Sequence, residues 1–183
     1  MTSLKTLLPA LVISGLVAVG CGTTKQQPTT TTETTPTIQE RVDKKANDLA
    51  DLKGATVESV TLEDGTIALK VTFDSGILFG FNKTDLGDEA KDSLKELVDE
   101  IEDMEDARIR VYGHTDIVGS AEVNQRVSTE RAKKVAAFLV DKGIEASRIE
   151  AEGLSFNHPV ADNSTEAGRA KNRRVEIYVI PAQ

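Results

Sequence analysis

Residues 66–183 of this 183-residue chain read as an α/β domain, a small α/β sandwich of strand–helix–strand units. Two kinds of periodicity say so. Residues 66–73 alternate strictly, with Ile67, Leu69, Val71 and Phe73 apolar, and Val175, Ile177 and Val179 repeat that pattern near the end of the chain. Between them Ala90, Leu94, Leu97, Val98, Ile101 and Met104 recur at helical spacing. Period 2 marks a half-buried strand and period 3.6 an amphipathic helix. Strands separated by helices favour right-handed crossovers, with the helices packed on one sheet. The composition fits a soluble globule: hydrophobic residues are 39% and Trp is absent. The formal net charge of −8 argues against a nucleic-acid partner, which calls for a dense positive field. One cysteine excludes an intrachain disulfide framework and a Cys-based zinc cluster.

Residues 1–20 read as a signal peptide. Lys5 supplies a short positive start, and 7–20 (LLPALVISGLVAVG) carries no charge, a length that suits a signal and is short for a membrane span. Ala18-Val19-Gly20-Cys21 resembles the lipobox of bacterial lipoproteins, cut just before the cysteine. Cys21 is then the expected lipidation site, with a diacylglycerol on its thiol and a third acyl chain on its amine. Several chains, at about 0.8 kcal/mol per buried methylene, anchor a protein firmly. The other reading is plain signal cleavage with a free Cys21, an exposed thiol in an oxidising compartment. Gly22 rather than Asp follows the cysteine, which fits outer-membrane sorting. Residues 21–37 form the lipidated Cys and a Thr-rich tether. Nine of the sixteen residues in 22–37 are Thr and none can build a core, so the segment is expected to be disordered, reaching at most about 55 Å.

Residues 38–65 hold a helix and the first strand of a hairpin. Ile38, Val42, Ala46 and Leu49 follow helical spacing, ending near Gly54. Strands at 57–62 and 66–73 flank an Asp64-Gly65 turn. Residues 74–83 (DSGILFGFNK) read as a Gly-containing loop, 87–104 as an amphipathic helix with an acidic outer face, and 108–112 as a strand. A second long helix is expected to open at Val127-Ser128-Thr129-Glu130-Arg131 with Ser128 as its N-cap, to bury Ala132, Val135, Ala136 and Leu139, and to stop at Gly143. A short strand over 148–153 and a last strand ending at Pro181 complete the order.

The residues with chemistry cluster after the central strand. Val111-Tyr112-Gly113-His114-Thr115-Asp116 is followed by Asn124 and Arg131, and later by Asn163-Ser164-Thr165 and Asn172-Arg173-Arg174-Val175-Glu176-Ile177. Asp116 lies just past a strand end and Arg131 in the first turn of the next long helix, so both fall at one sheet edge, where ligand sites form. Spacing alone leaves two readings. The two side chains pair with each other, as exposed ions commonly do. Alternatively they hold a zwitterion, Asp116 taking an ammonium and Arg131 a carboxylate.

At these residues the chain resembles the OmpA-like C-terminal domain, the module of peptidoglycan-associated lipoprotein. The resemblance covers about residues 72–179 and is carried by Gly113-His114-Thr115-Asp116, by Asn124 with Ser128, Arg131 and Ala132, by the Asn-Ser-Thr turn, and by Asn172-Arg173-Arg174-Val175-Glu176-Ile177. It implies an α/β sandwich that binds the peptidoglycan stem peptide without catalysis. By the same resemblance, Asp116 and Arg131 grip a diaminopimelate residue, main-chain amides of 79–83, including Asn82 and Lys83, assist, and Asn124 supports the Asp116 loop. Val118, Val123 and Leu154-Ser155-Phe156 depart from the family pattern.

No cofactor is expected and no metal site, since His114 and Asp116 are only two candidate ligands and His158 is the other histidine. An enzyme is therefore not expected. His114 is expected to order its loop by hydrogen bonding. Arg169, Lys171, Arg173 and Arg174 are expected mostly to pair with acids. Eleven acids against two lysines between Asp85 and Asp106 read as a solvated helix face. The whole predicts an outer-membrane lipoprotein whose periplasmic domain binds peptidoglycan and ties membrane to wall. The alternative is an envelope assembly or structural factor that engages a protein partner, with wall binding secondary.

Overall fold

The computed structural model describes residues 35–80 and 85–182. The expected signal peptide, Cys21 and most of the Thr-rich segment lie outside the described residues, as do Asn82 and Lys83. Helix α1 (Ile38–Asp48) is opened by a reciprocal cap, in which Thr37 accepts from the Glu40 amide and Glu40 accepts from the Thr37 amide. Strands β1 (Ala55–Thr61) and β2 (Ile67–Asp74) form the expected hairpin. Helices α2 (Ser75–Phe79) and α3 (Asp88–Ile101), strand β3 (Arg108–Gly113), helix α4 (Ala121–Asp141), strand β4 (Ile149–Gly153), helix α5 (Glu166–Asn172) and strand β5 (Arg174–Ile180) follow.

The five strands make one mixed sheet in the order β1-β2-β5-β3-β4. Strands β3 and β4 are parallel, joined by the crossover helix α4, and the other pairings are antiparallel. One sheet face is apolar and buried: Leu69, Val71, Phe73, Ile109, Val111, Val175, Ile177 and Val179. Against it pack Leu94, Leu97 and Ile101 of α3, and Ala132, Val135 and Leu139 of α4. Val42 of α1 and Leu49 beyond it join the same core. Lys45 fixes α1 to the C-terminal end of α3, where Glu100 and Asp103 lie 2.9 and 3.0 Å from its ammonium.

Two expectations need correction. Residues 75–79 are not loop but the short helix α2, because Asp74 caps it by accepting from the Gly76 amide at 2.6 Å and Leu78 and Phe79 are buried. Helix α4 begins at Ala121, with Ser120 as its N-cap, rather than at Ser128. Ser128 sits fully buried inside the helix, where α4 crosses the ends of β3 and β4. A Cβ on Gly113 would lie 2.1 Å from the Ser128 carbonyl oxygen, and one on Gly153 would lie 2.3 Å from the Thr129 nitrogen. The two glycines and the small Ser128 thus set the helix–sheet distance. The Ser128 hydroxyl donates to Gln125 O at 3.0 Å and accepts from the Ser155 amide at 3.1 Å.

Candidate functional site

The loop that follows β3, the start of α2, the first three turns of α4, and α5 with the residue after it surround a cavity of about 670 Å³. Asp116, Asn124 and Arg131 all line it, so the structure brings together the three described residues singled out in the sequence.

Asp116 is 8% exposed. Its Oδ1 accepts from the Val118 amide at 2.9 Å, the local turn that aspartate favours. Asn124, on the first turn of α4, donates to Val118 O at 3.1 Å and so holds the same loop from the other side. A relay reaches it from the end of α5. Asn172 is fully buried, accepts from the amides of Val160 and Ala161, and donates to Asn163 Oδ1, which also accepts from the Ile117 amide at 3.3 Å. The other oxygen, Asp116 Oδ2, is held by Arg173 Nη1 at 2.7 Å. Arg173 also reaches Glu166 at 2.8 Å, and Arg169 pairs with Glu166 at 2.7 Å. Sequence reasoning placed Arg173 in the basic cluster but not in this role; its position just before the last strand was the available signal.

Arg131 is in the third turn of α4, not the first, and is 8% exposed. Among the described residues it forms no ion pair with Asp116 or any other acid, and its Nε has no hydrogen-bond partner. Its guanidinium lies over the Phe79 ring at 5.4 Å. Burial pushes its pKa down, the Arg173 charge adds to that, and Asp116 opposes both. The cavity therefore contains a carboxylate tied to one arginine and a second arginine that no acid among the described residues neutralises at contact distance. Val118, Val123 and Val127 supply an apolar wall.

His114 does not order its loop through its ring. Both ring nitrogens lack a hydrogen-bond partner, and Nε2 stands 3.6 Å from Glu176. Its main-chain amide does the ordering, donating to Arg174 O at 2.9 Å. Burial pushes the His114 pKa down, with the Arg174 charge helping and Glu176 opposing. Glu176 is itself buried, which alone would raise its pKa. Neighbouring His114 and Arg174 groups and Lys70 hold it well below the usual carboxylate range instead. Among the described residues no cluster of three or more metal-ligating side chains occurs, and no helix is long and apolar enough to cross a membrane.

This geometry sits on a domain of known kind. The OmpA family model matches residues 78–173, and the chain belongs to the OmpA family. The chain is 39% identical over 109 residues to the outer-membrane lipoprotein YfiB of Pseudomonas aeruginosa, covering 60% of this chain and 64% of that protein. It is 38% identical over 112 residues to the peptidoglycan-binding protein ArfA of Mycobacterium bovis, covering 61% and 34%. Among solved structures, the cell wall anchor of the T6SS from Pseudomonas aeruginosa superposes with a TM-score of 0.65 at 29% identity, over 79% of this chain and 99% of that one. The chain spans less than two thirds of the length of these curated relatives.

Proposed function

We propose that this chain is a lipid-anchored, non-catalytic peptidoglycan binder that ties the outer membrane to the cell wall. Its ligand is the diaminopimelate residue of the stem peptide. Asp116 takes the ammonium of the free zwitterionic end and Arg131 its carboxylate, while Asn124 holds the loop that carries Asp116. The observation that carries the reading is the Arg131 guanidinium, buried in the same cavity as Asp116 and without an acidic partner among the described residues. A buried cation is ordinarily paired, and a ligand carboxylate supplies the missing charge through two parallel hydrogen bonds. The named functions of two relatives, peptidoglycan binding and cell wall anchoring, support the same ligand class. In this reading Cys21 carries the lipid, residues 22–37 are the tether, the main-chain amides of Asn82 and Lys83 help to hold the ligand, and the domain faces the periplasm.

The test is co-sedimentation with purified sacculi, with free diaminopimelate as competitor. The wild-type domain should pellet with sacculi and be released by the free amino acid. D116A and R131A should remain in the supernatant. Pelleting of both variants at the wild-type level removes the assignment.

A further inference from the structure

Five buried side-chain polar atoms among the described residues have no hydrogen-bond partner. Two belong to the His114 ring. The other three, Ser75 Oγ, Thr115 Oγ1 and Arg131 Nε, belong to residues that all line the cavity described above. Native proteins leave few such atoms, and a concentration of them in one place calls for a reason. Ser75 is 2% exposed and Thr115 6%, so bulk water does not satisfy them. The main chain of both is fixed at the cavity, where the Ser75 amide donates to Arg173 O and the Thr115 amide to Ser155 O, each at 2.9 Å.

We propose that Ser75 and Thr115 are ligand-binding residues whose hydroxyls donate to the carboxylate that Arg131 neutralises. The assignment rests on the zwitterion clamp proposed above. The chemistry of the three groups selects the ligand atom. A guanidinium can only donate and a hydroxyl can donate, so one acceptor-only group satisfies all three, and a carboxylate is such a group. An ammonium could be accepted by the hydroxyls but would leave Arg131 facing a like charge. Asp116 remains the ammonium site, since it is the acid of the pair. The cavity is thus divided, with the acceptor on the Asp116 loop and the donors from α2, the residue before Asp116, and α4. Ser75 lies in the segment the sequence presented as a loop, and Thr115 is hidden between His114 and Asp116.

The experiment uses the full-length protein in detergent and titrates meso-diaminopimelate into wild type, S75A, T115V, the double variant and R131A, with a thermal melt of each. Each single variant should bind about 3–10-fold more weakly and the double variant about 10–50-fold more weakly, as expected for loss of hydrogen bonds to a charged ligand. Melting temperatures should stay level or rise, because the substitutions remove unpaired buried hydroxyls. Cadaverine, which is diaminopimelate without its carboxylates, should bind wild type and double variant alike. Wild-type affinity in the double variant, with binding lost in R131A, overturns the role of Ser75 and Thr115 and leaves the clamp standing. A melting temperature lower by several degrees with affinity intact makes the two residues structural and overturns the proposal. Absence of diaminopimelate binding by the wild-type protein overturns the clamp and this assignment together.

Discussion

Arg131 should be a residue that the ligand-free protein is more stable without. Moving a guanidinium from water into the protein costs several kcal/mol, and a close acid normally offsets that cost. Here the acid, Asp116, is held by Arg173, and among the described residues the Arg131 guanidinium has the Phe79 ring beside it, worth about 1–2 kcal/mol for a desolvated cation. The remaining deficit is on the order of 1–2 kcal/mol. R131M keeps an unbranched chain against Phe79 and has nearly the same helix propensity, so it isolates the charge. The expected result is a melting temperature about 3–8 °C above wild type, from the usual scaling for a domain of this size. Loss of a two-pronged, charge-assisted contact should cost about 3 kcal/mol of binding, more than 100-fold in Kd for diaminopimelate. Thermal melts followed by circular dichroism, and calorimetric titration of the same preparations, read both quantities. A melting temperature several degrees below wild type refutes the reasoning, because Arg131 would then be satisfied in the free protein. So does unchanged affinity.

Two further predictions concern stability. Burial lowers the His114 pKa, so below about pH 6.5 the unfolded chain binds a proton that the native protein refuses, and stability falls as the pH drops through that value. Glu176, held below its ordinary range, adds a second loss that begins near pH 4.3 and deepens as the pH falls towards its native value. In denaturant titrations across pH, H114F should flatten the upper limb and E176Q the lower; a single limb unaffected by H114F counts against the buried neutral imidazole. G113A should cost at least about 3 kcal/mol, since its methyl carbon would meet the Ser128 carbonyl oxygen at 2.1 Å and α4 cannot move off both β3 and β4. Chemical denaturation measures this, and a loss under 1 kcal/mol would mean that the helix yields.

The strands and α3 were legible because their patterns are the direct imprint of burial. Residues 67–73 alternate since one sheet face is core, and 90–104 repeat at helical spacing since one helix face is. The start of α4 was not legible for the complementary reason. Its first two turns face the cavity and solvent, where Val123 is 46% exposed and Asn124 holds a loop, so apolar periodicity begins only near Ser128. That shifted Arg131 by two turns along the helix yet kept it on the cavity side. Helix α2 spans only five residues, too few for a period to register. The pairing of Asp116 was the least accessible, since Arg173 is 57 residues downstream and only the β3–β5 register places it within reach.

The overall charge and the proposed ligand pose an apparent conflict, because a chain of net charge −8 is asked to hold a polymer rich in carboxylates. Distance resolves it. Fields of exposed charges are screened within about 8 Å at physiological ionic strength. The acids of α3 lie on its exposed face, where Lys91 already offsets Asp88. At the cavity the balance is local. Arg131, Arg169 and Arg173 stand against Asp74, Asp116 and Glu166, and two of the three arginines are engaged with those acids. The remaining cation is buried, where screening is weak and charge counts for most. In the proposed clamp, a carboxylate entering the cavity meets the Arg131 charge, which no described acid neutralises, rather than the average of the surface, and its partner ammonium meets an aspartate already oriented by Val118, Asn124 and Arg173. Recognition in that proposal depends on the order of two opposite charges along the ligand, which a neutral zwitterionic end satisfies and a simple anion does not.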